Sequence, residues 1–172
     1  MVNSAIAKMN LFLHGASDFN IMQGDTLRNP KILQGGEVAK FDCVIANPPF
    51  SLEKWGSVEW SSDKYGRNIW GTPSDSCGDY AWIQHMIASM APGKGRMAVV
   101  MPQGVLFRGN EEGRIREKLV KSDMVEAVVT LGDKLFYGTG LSPCFLIIRK
   151  MKPAAHSARI LMIDGTKILT PK

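Results

Sequence analysis

Apolar residues recur along this chain with two periods. Ile6, Met9 and Leu13 fall at near-helical spacing and run into Gly15, which predicts a helix closed by a left-handed cap. The apolar stretch 19–22 then meets Gly24-Asp25 and reads as a short strand with a turn acid behind it. Residues 41–46, Phe-Asp-Cys-Val-Ile-Ala, are rich in strand formers and stop at two prolines, so they predict a buried strand ending at Asn47. A long polar loop follows. Asp79 is a good N-cap, and Trp82, Ile83, Met86, Ile87 and Met90 behind it form one helical face that ends at Ala91-Pro92-Gly93. Residues 97–101 predict a strand cut by Pro102. Residues 110–120 predict a helix with Ile115 and Leu119 on its inner side. Three further β-like runs occupy 126–131, 144–149 and 159–163. Strands alternating with helices imply an α/β fold with a mostly parallel sheet, and the short 131–144 link implies an antiparallel pair at its late edge.

Composition adds bounds to this pattern. The chain has 172 residues, 45% hydrophobic and 22% charged, the balance of one globular domain. No apolar run approaches the roughly 20 residues that cross a bilayer, and the N-terminus lacks a secretory pattern, so a cytoplasmic location is expected. Cys43, Cys77 and Cys144 stand singly, suggesting neither a disulfide framework nor a zinc site. Residues 1–93 carry 7 basic and 9 acidic side chains against 14 and 7 in 94–172, so an anionic partner would meet the second half.

The candidate chemistry lies in Asn47-Pro48-Pro49-Phe50, directly after a strand, where open α/β sheets place their ligand sites. The lone pair of a nucleobase exocyclic amine is delocalised into the ring, so a catalyst must accept its N–H bonds and draw the nitrogen toward tetrahedral geometry. The Asn47 side-chain carbonyl and the Pro48 main-chain carbonyl are two such acceptors, and the rings of Pro48 and Pro49 hold them in advance. Phe50 offers a face on which a base drawn out of a duplex can stack. The plainer alternative is a Pro-Pro turn that ends a strand, with Phe50 folded into the core.

The chain resembles the methylase subunit of type I restriction-modification systems, N6-adenine DNA methyltransferases that use S-adenosylmethionine. The resemblance rests on Met9-Asn10-Leu11-Phe12-Leu13-His14-Gly15, Gly24-Asp25-Thr26-Leu27, the block 41–50, Pro92-Gly93-Lys94-Gly95-Arg96, Met101-Pro102-Gln103-Gly104-Val105-Leu106-Phe107-Arg108 and Phe136-Tyr137-Gly138-Thr139-Gly140. It implies that Asn47, Pro48, Pro49 and Phe50 are catalytic, and that Asp25 and Asn47 bind the cofactor, Asp25 at its adenine. It also implies double-stranded DNA with a flipped adenine as substrate, and specificity and restriction subunits as partners. The family's Phe-x-Gly-x-Gly cofactor turn and its ribose-binding acid are not found in the sequence. Gly93-Lys94-Gly95 precedes a strand and Gly138-Thr139-Gly140 has no helix after it, so both read as turns.

The expectation is therefore a partial Rossmann-like methyltransferase sheet lacking its first two strands. Residues 1–150 would form the C-terminal part of the catalytic domain and 151–172 an added edge strand and tail. Such a piece is expected to be inactive alone and prone to self-association through an unpaired strand edge. Rival readings are an RNA or protein N-methyltransferase and a non-catalytic subunit-docking module.

Three further features carry open alternatives. Trp55, Trp60, Tyr65 and Trp70 in the 51–78 loop suit either packing or contact with DNA bases. Arg114, Lys118 and Lys121, with Arg108 before them, suit either a solvated helix face or phosphate contact. His14, His85 and His156 have no partner spacing and are assigned no catalytic role.

Overall fold

The computed structural model describes residues 2–133, 135–136 and 140–166. It opens with helix α1 (Val2–Leu13), which ends as its sequence predicts. Gly15 takes φ +79°, its N–H bonds the Phe12 carbonyl at 3.0 Å, and the Ala16 N–H bonds the Leu11 carbonyl at 3.0 Å. The 19–22 stretch forms no strand. A small hairpin, β1 (Leu33–Gln34) and β2 (Glu37–Val38), comes next, and then β3 (Cys43–Ala46).

Within the polar loop lies a short helix, α2 (Ser57–Ser61). The long amphipathic helix is α3 (Asp79–Ala88), whose N-cap is Gly78 rather than Asp79. Asp79 is the first helical residue, and its carboxylate is spent on tertiary partners instead of on the helix end. After α3 come β4 (Arg96–Pro102), a 3-10 turn (Gln103–Leu106), α4 (Asn110–Lys121), β5 (Val125–Leu131), β6 (Pro143–Arg149) and β7 (Leu161–Gly165).

The main sheet has five strands in the order β3-β4-β6-β5-β7. β3 runs parallel to β4 and β7 parallel to β5, while β6 is antiparallel to both of its neighbours. The antiparallel pair implied by the 131–144 link is β5 with β6, and β6 enters the sheet beside β4 while β7 takes the outer edge. Register sets two faces. Met97, Val99 and Met101 of β4 and Cys144, Leu146 and Ile148 of β6 turn toward Ile83, Met86 and Ile87 of α3 and Ile115 and Leu119 of α4, and these form the core. Ile45, Ala98, Ile147, Ala127 and Leu161 stand in register on the opposite face. There Ile45 is 76% exposed.

A second, smaller core cluster joins Leu27, Trp55, Trp60 and Ala81, with Trp82 packed against it. Trp55 and Trp60 are buried and meet edge to face at 5.6 Å. Packing therefore accounts for these two indoles, and contact with DNA does not. Trp70 packs against the main core. The cations of α4 lie on an exposed face: Arg114 pairs with Glu111 and Lys121 with Glu117, both at 2.6 Å, and Lys118 donates to the Trp70 carbonyl at 2.8 Å. No described helix is long and apolar enough to cross a membrane.

Candidate active site

The chain leaves β3 at Ala46 and enters the tetrapeptide at the C-terminal end of that parallel strand. Asn47 and Pro49 are exposed, Pro48 is buried and Phe50 is half-buried. No described residue hydrogen-bonds the Asn47 side-chain amide, and the residue is exposed. The Phe50 ring stands edge to face with Phe136, with centroids 6.4 Å apart and planes at 83°. Phe50 is thus neither free nor folded into the core: it is propped by a second aromatic from the link between β5 and β6. Tyr137, Gly138 and Thr139 of the same motif lie outside the described residues.

Ser51 follows with φ +48°, a left-handed conformation, and its N–H donates to Asp79 Oδ1 at 2.8 Å. Asp79 is fully buried. Its other oxygen pairs with Arg108, which also engages Glu112. A cavity of about 260 Å³ opens beside Ser51, bounded by Pro102, Gln103, Phe107, Arg108 and Leu141.

Asp25 sits on a tight turn. Its Oδ1 accepts from the N–H groups of Leu27 (3.1 Å) and Arg28 (3.0 Å), and its Oδ2 from Arg28 Nη1 (2.9 Å). Partial burial pushes the carboxyl pKa up, but the Arg28 N–H and guanidinium outweigh it and hold the group below the usual carboxylate range. The side chain remains 47% exposed. Oδ2 makes one recorded bond, so it keeps acceptor capacity for an exocyclic amine. In this the turn fits the adenine end of the cofactor implied by the resemblance.

Two arginines tie that turn to the loop behind the tetrapeptide. Arg28 also donates to the Lys54 carbonyl. Arg67, only 1% exposed, donates to the carbonyls of Thr26 (2.8 Å) and Leu27 (2.7 Å), pairs with Asp63 at 2.6 Å and lies 4.5 Å above the Trp60 ring. Its Nη1 also faces His85 Nδ1 at 3.3 Å. A guanidinium can only donate, so Nδ1 is the unprotonated nitrogen. Burial, with Arg67 next, lowers the His85 pKa to about 4. A small cavity of about 190 Å³ lies under this turn, lined by Met22, Gly24, Thr26, Lys31, His85 and Ser89, and neither Asp25 nor Asn47 faces it.

Sequence reading singles out Asn47, Pro48, Pro49, Phe50 and Asp25 but does not anticipate the contacts of Arg67 or the Asp79–Arg108–Glu112 group. Of these, only the Arg108/Glu112 spacing of four, at a helix start, carried a local signal.

Comparison with known proteins bears on the family of the chain. At 33% identity over 96% of its length, the chain is similar to the type I restriction enzyme MjaVII methylase subunit of Methanocaldococcus jannaschii. It is 30% identical over 95% to the HindI methylase subunit of Haemophilus influenzae. It spans 29% and 35% of those relatives. Among solved structures, the type I methyltransferase subunit from Streptococcus thermophilus superposes with a TM-score of 0.81 at 31% identity, covering 94% of this chain and 34% of that one. The EcoKI M protein gives 0.67 at 26% identity, covering 93% and 32%. The family model described as N-6 DNA Methylase matches residues 2–172, and with a sheet whose β3 runs directly into Asn-Pro-Pro-Phe, the chain belongs to that family.

Proposed function

We propose that this chain is the catalytic part of a DNA methylase that transfers a methyl group to adenine N6 within a type I restriction-modification assembly. The observation that carries this reading is the open Asn47 amide at the end of β3, beside the propped ring of Phe50. Asn47 Oδ1 and the Pro48 carbonyl accept the two N–H bonds of the amine, so its lone pair leaves conjugation and points at the incoming methyl carbon. Phe50 stacks on the flipped adenine and replaces part of the stacking lost from the duplex. Asp25 and Asn47 would hold S-adenosylmethionine, which when bound supplies an electrophilic methyl group on a sulfonium. The cofactor would thus supply both the methyl carbon and a neutral thioether leaving group, while Asn47 Oδ1 and the Pro48 carbonyl hold the amine protons, one of which passes to solvent.

On this reading residues 1–150 are part of the catalytic domain, 151–172 add an edge strand and tail, and the partners are duplex DNA and the specificity and restriction subunits. The absence of a Phe-x-Gly-x-Gly turn in the sequence supports negligible transfer by residues 1–172 alone. Among the described residues the outer edge of β3 is unpaired, and this edge, with Ile45 exposed, supports self-association of the isolated chain, which sedimentation velocity would detect.

The test is single-turnover tritium transfer to a cognate duplex by an assembly carrying this chain. Asn47→Ala should lose about a hundredfold or more in rate while cofactor affinity stays within a few-fold, because Asn47 serves mainly the reacting amine and only secondarily the cofactor. A near-normal rate in Asn47→Ala would remove the assignment.

A further inference from the structure

The tetrapeptide has no fold of its own to hold it. Two prolines restrict it, but the residue after Phe50 is a serine at φ +48°, a conformation that a non-glycine residue keeps only where its surroundings impose it. The imposing contact is the hydrogen bond from the Ser51 N–H to Asp79 Oδ1 at 2.8 Å. Asp79 is fully buried at the first position of α3, where a lone carboxylate would be costly. Arg108, from the segment after the 3-10 turn, supplies the countercharge. Its Nη2 engages Asp79 Oδ2 and also Glu112 Oε1 at 3.1 Å, and its Nε engages Glu112 Oε2. Glu112, in the first turn of α4, is also buried and accepts from Cys77 Sγ at 3.3 Å. Two more bonds fasten the same loop: Gly78 N–H to the Leu52 carbonyl at 2.9 Å and Lys54 N–H to the Asp75 carbonyl at 2.8 Å.

Two other roles for this cluster fail on its own geometry. The donor atoms of Cys77, Asp79 and Glu112 lie within 4.8 Å of one another, the spacing of a cation site, but the Arg108 guanidinium already sits on both carboxylates. Burial pushes the Cys77 thiol pKa up to about 12, which removes it as a thiolate ligand or nucleophile. Nor does Arg108 offer its bidentate Nε/Nη2 edge to a phosphate, since those two nitrogens face two carboxylates.

We infer that Asp79 and Arg108 are positioning residues, a clamp that joins the starts of α3 and α4 to the backbone behind Phe50 and thereby fixes where Asn47 presents its carbonyl. The inference rests on the proposed methyl transfer, because only a reaction at Asn47 makes the placement of this loop matter. A displacement of about 1 Å at such a group costs about a hundredfold in rate.

Three variants separate this role from plain stabilisation. Asp79→Ala removes both the Ser51 acceptor and the Arg108 partner. Asp79→Asn keeps a carbonyl for Ser51 and loses the charge. Arg108→Lys keeps the charge, loses the fork and should lower kcat less than Asp79→Ala does. In single-turnover transfer by the assembly, normalised to folded protein, Asp79→Ala should lower kcat about a hundredfold with KM for DNA and cofactor within threefold, and Asp79→Asn should recover part of that loss. In the 172-residue chain itself, hydrogen exchange should show the Ser51 amide opening at least tenfold faster in Asp79→Ala, with Ile83 in α3 unchanged as the folding control. An assembly with no transfer at all counts against the proposed function, and the exchange measurement then decides the clamp by itself. Unchanged Ser51 exchange in a folded Asp79→Ala chain, or full kcat in its folded fraction, overturns the inference.

Discussion

Replacing Arg67 with methionine keeps the apolar stem over the Trp60 ring and deletes the guanidinium. Four groups then lose a partner: Asp63, the carbonyls of Thr26 and Leu27, and His85 Nδ1. Asp63, only 2% exposed at its side chain, keeps the Arg67 backbone N–H at 2.7 Å but loses both ion-pair bonds, at 2.6 and 3.0 Å. The carbonyls of Thr26 and Leu27 lose theirs at 2.8 and 2.7 Å. Breaking a buried pair from one side costs about 3–5 kcal/mol because a charge stays behind without compensation. The two carbonyls add about 1 kcal/mol each when taken singly, part of which overlaps with the first term. A loss of about 4 kcal/mol is therefore expected, a large share of the roughly 5–15 kcal/mol of a typical domain. Urea unfolding followed by tryptophan fluorescence measures it, with Trp60 as the reporter beneath the substituted side chain. The double variant Asp63→Leu, Arg67→Met should recover most of the ionic part and leave the cost of the two carbonyls. His85 gives an independent readout: without the Arg67 cation its pKa should rise from about 4, while burial, the larger cause, keeps it below 6.5. An Arg67→Met chain within about 1 kcal/mol of the parent, with an unmoved His85 titration, would show that the Arg67 guanidinium contributes nothing to stability.

Other expectations follow from single contacts. His85 titrates at about 4 in the fold against 6.5 when unfolded, so the unfolded chain binds the proton first; stability is complete above pH 6.5 and falls by about 3 kcal/mol as the pH drops to 4, which urea midpoints across that range would register. His85→Gln should flatten that part of the profile. At Gly95 an added Cβ would lie 2.7 Å from the Ala91 nitrogen and 2.8 Å from its carbonyl oxygen, so Gly95→Ala should cost about 1–3 kcal/mol and lower Tm by several degrees in a thermal scan. Phe50→Ala should weaken capture of a flipped 2-aminopurine by about 1–3 kcal/mol, with much of it restored by tyrosine or tryptophan; unchanged fluorescence and transfer would make Phe50 a packing residue only.

Much of this molecule was written locally. The end of α1 at Gly15, the strand stopped by Pro48-Pro49, the inner faces of α3 and α4 and the strand-to-tetrapeptide junction all depend on residues a few positions apart, where turn chemistry and periodicity act directly. The family resemblance likewise rests on contiguous motifs. Asp79 shows where local reading stops. By sequence it is a helix cap, yet its carboxylate serves Ser51, 28 residues back, and Arg108, 29 residues on. The 51–78 loop left two meanings for its indoles, and the burial of Trp55 and Trp60 against Leu27 and Ala81 decided it. The insertion of β6 beside β4, the pairing of Arg67 with carbonyls 40 and 41 residues away and the propping of Phe50 by Phe136 are of the same kind. Each joins segments whose separation along the chain leaves no periodic trace. Only the closing of the sheet and its loops into one packed body selected those partners, because a buried charge or ring must find whatever compensation the tertiary fold brings within reach.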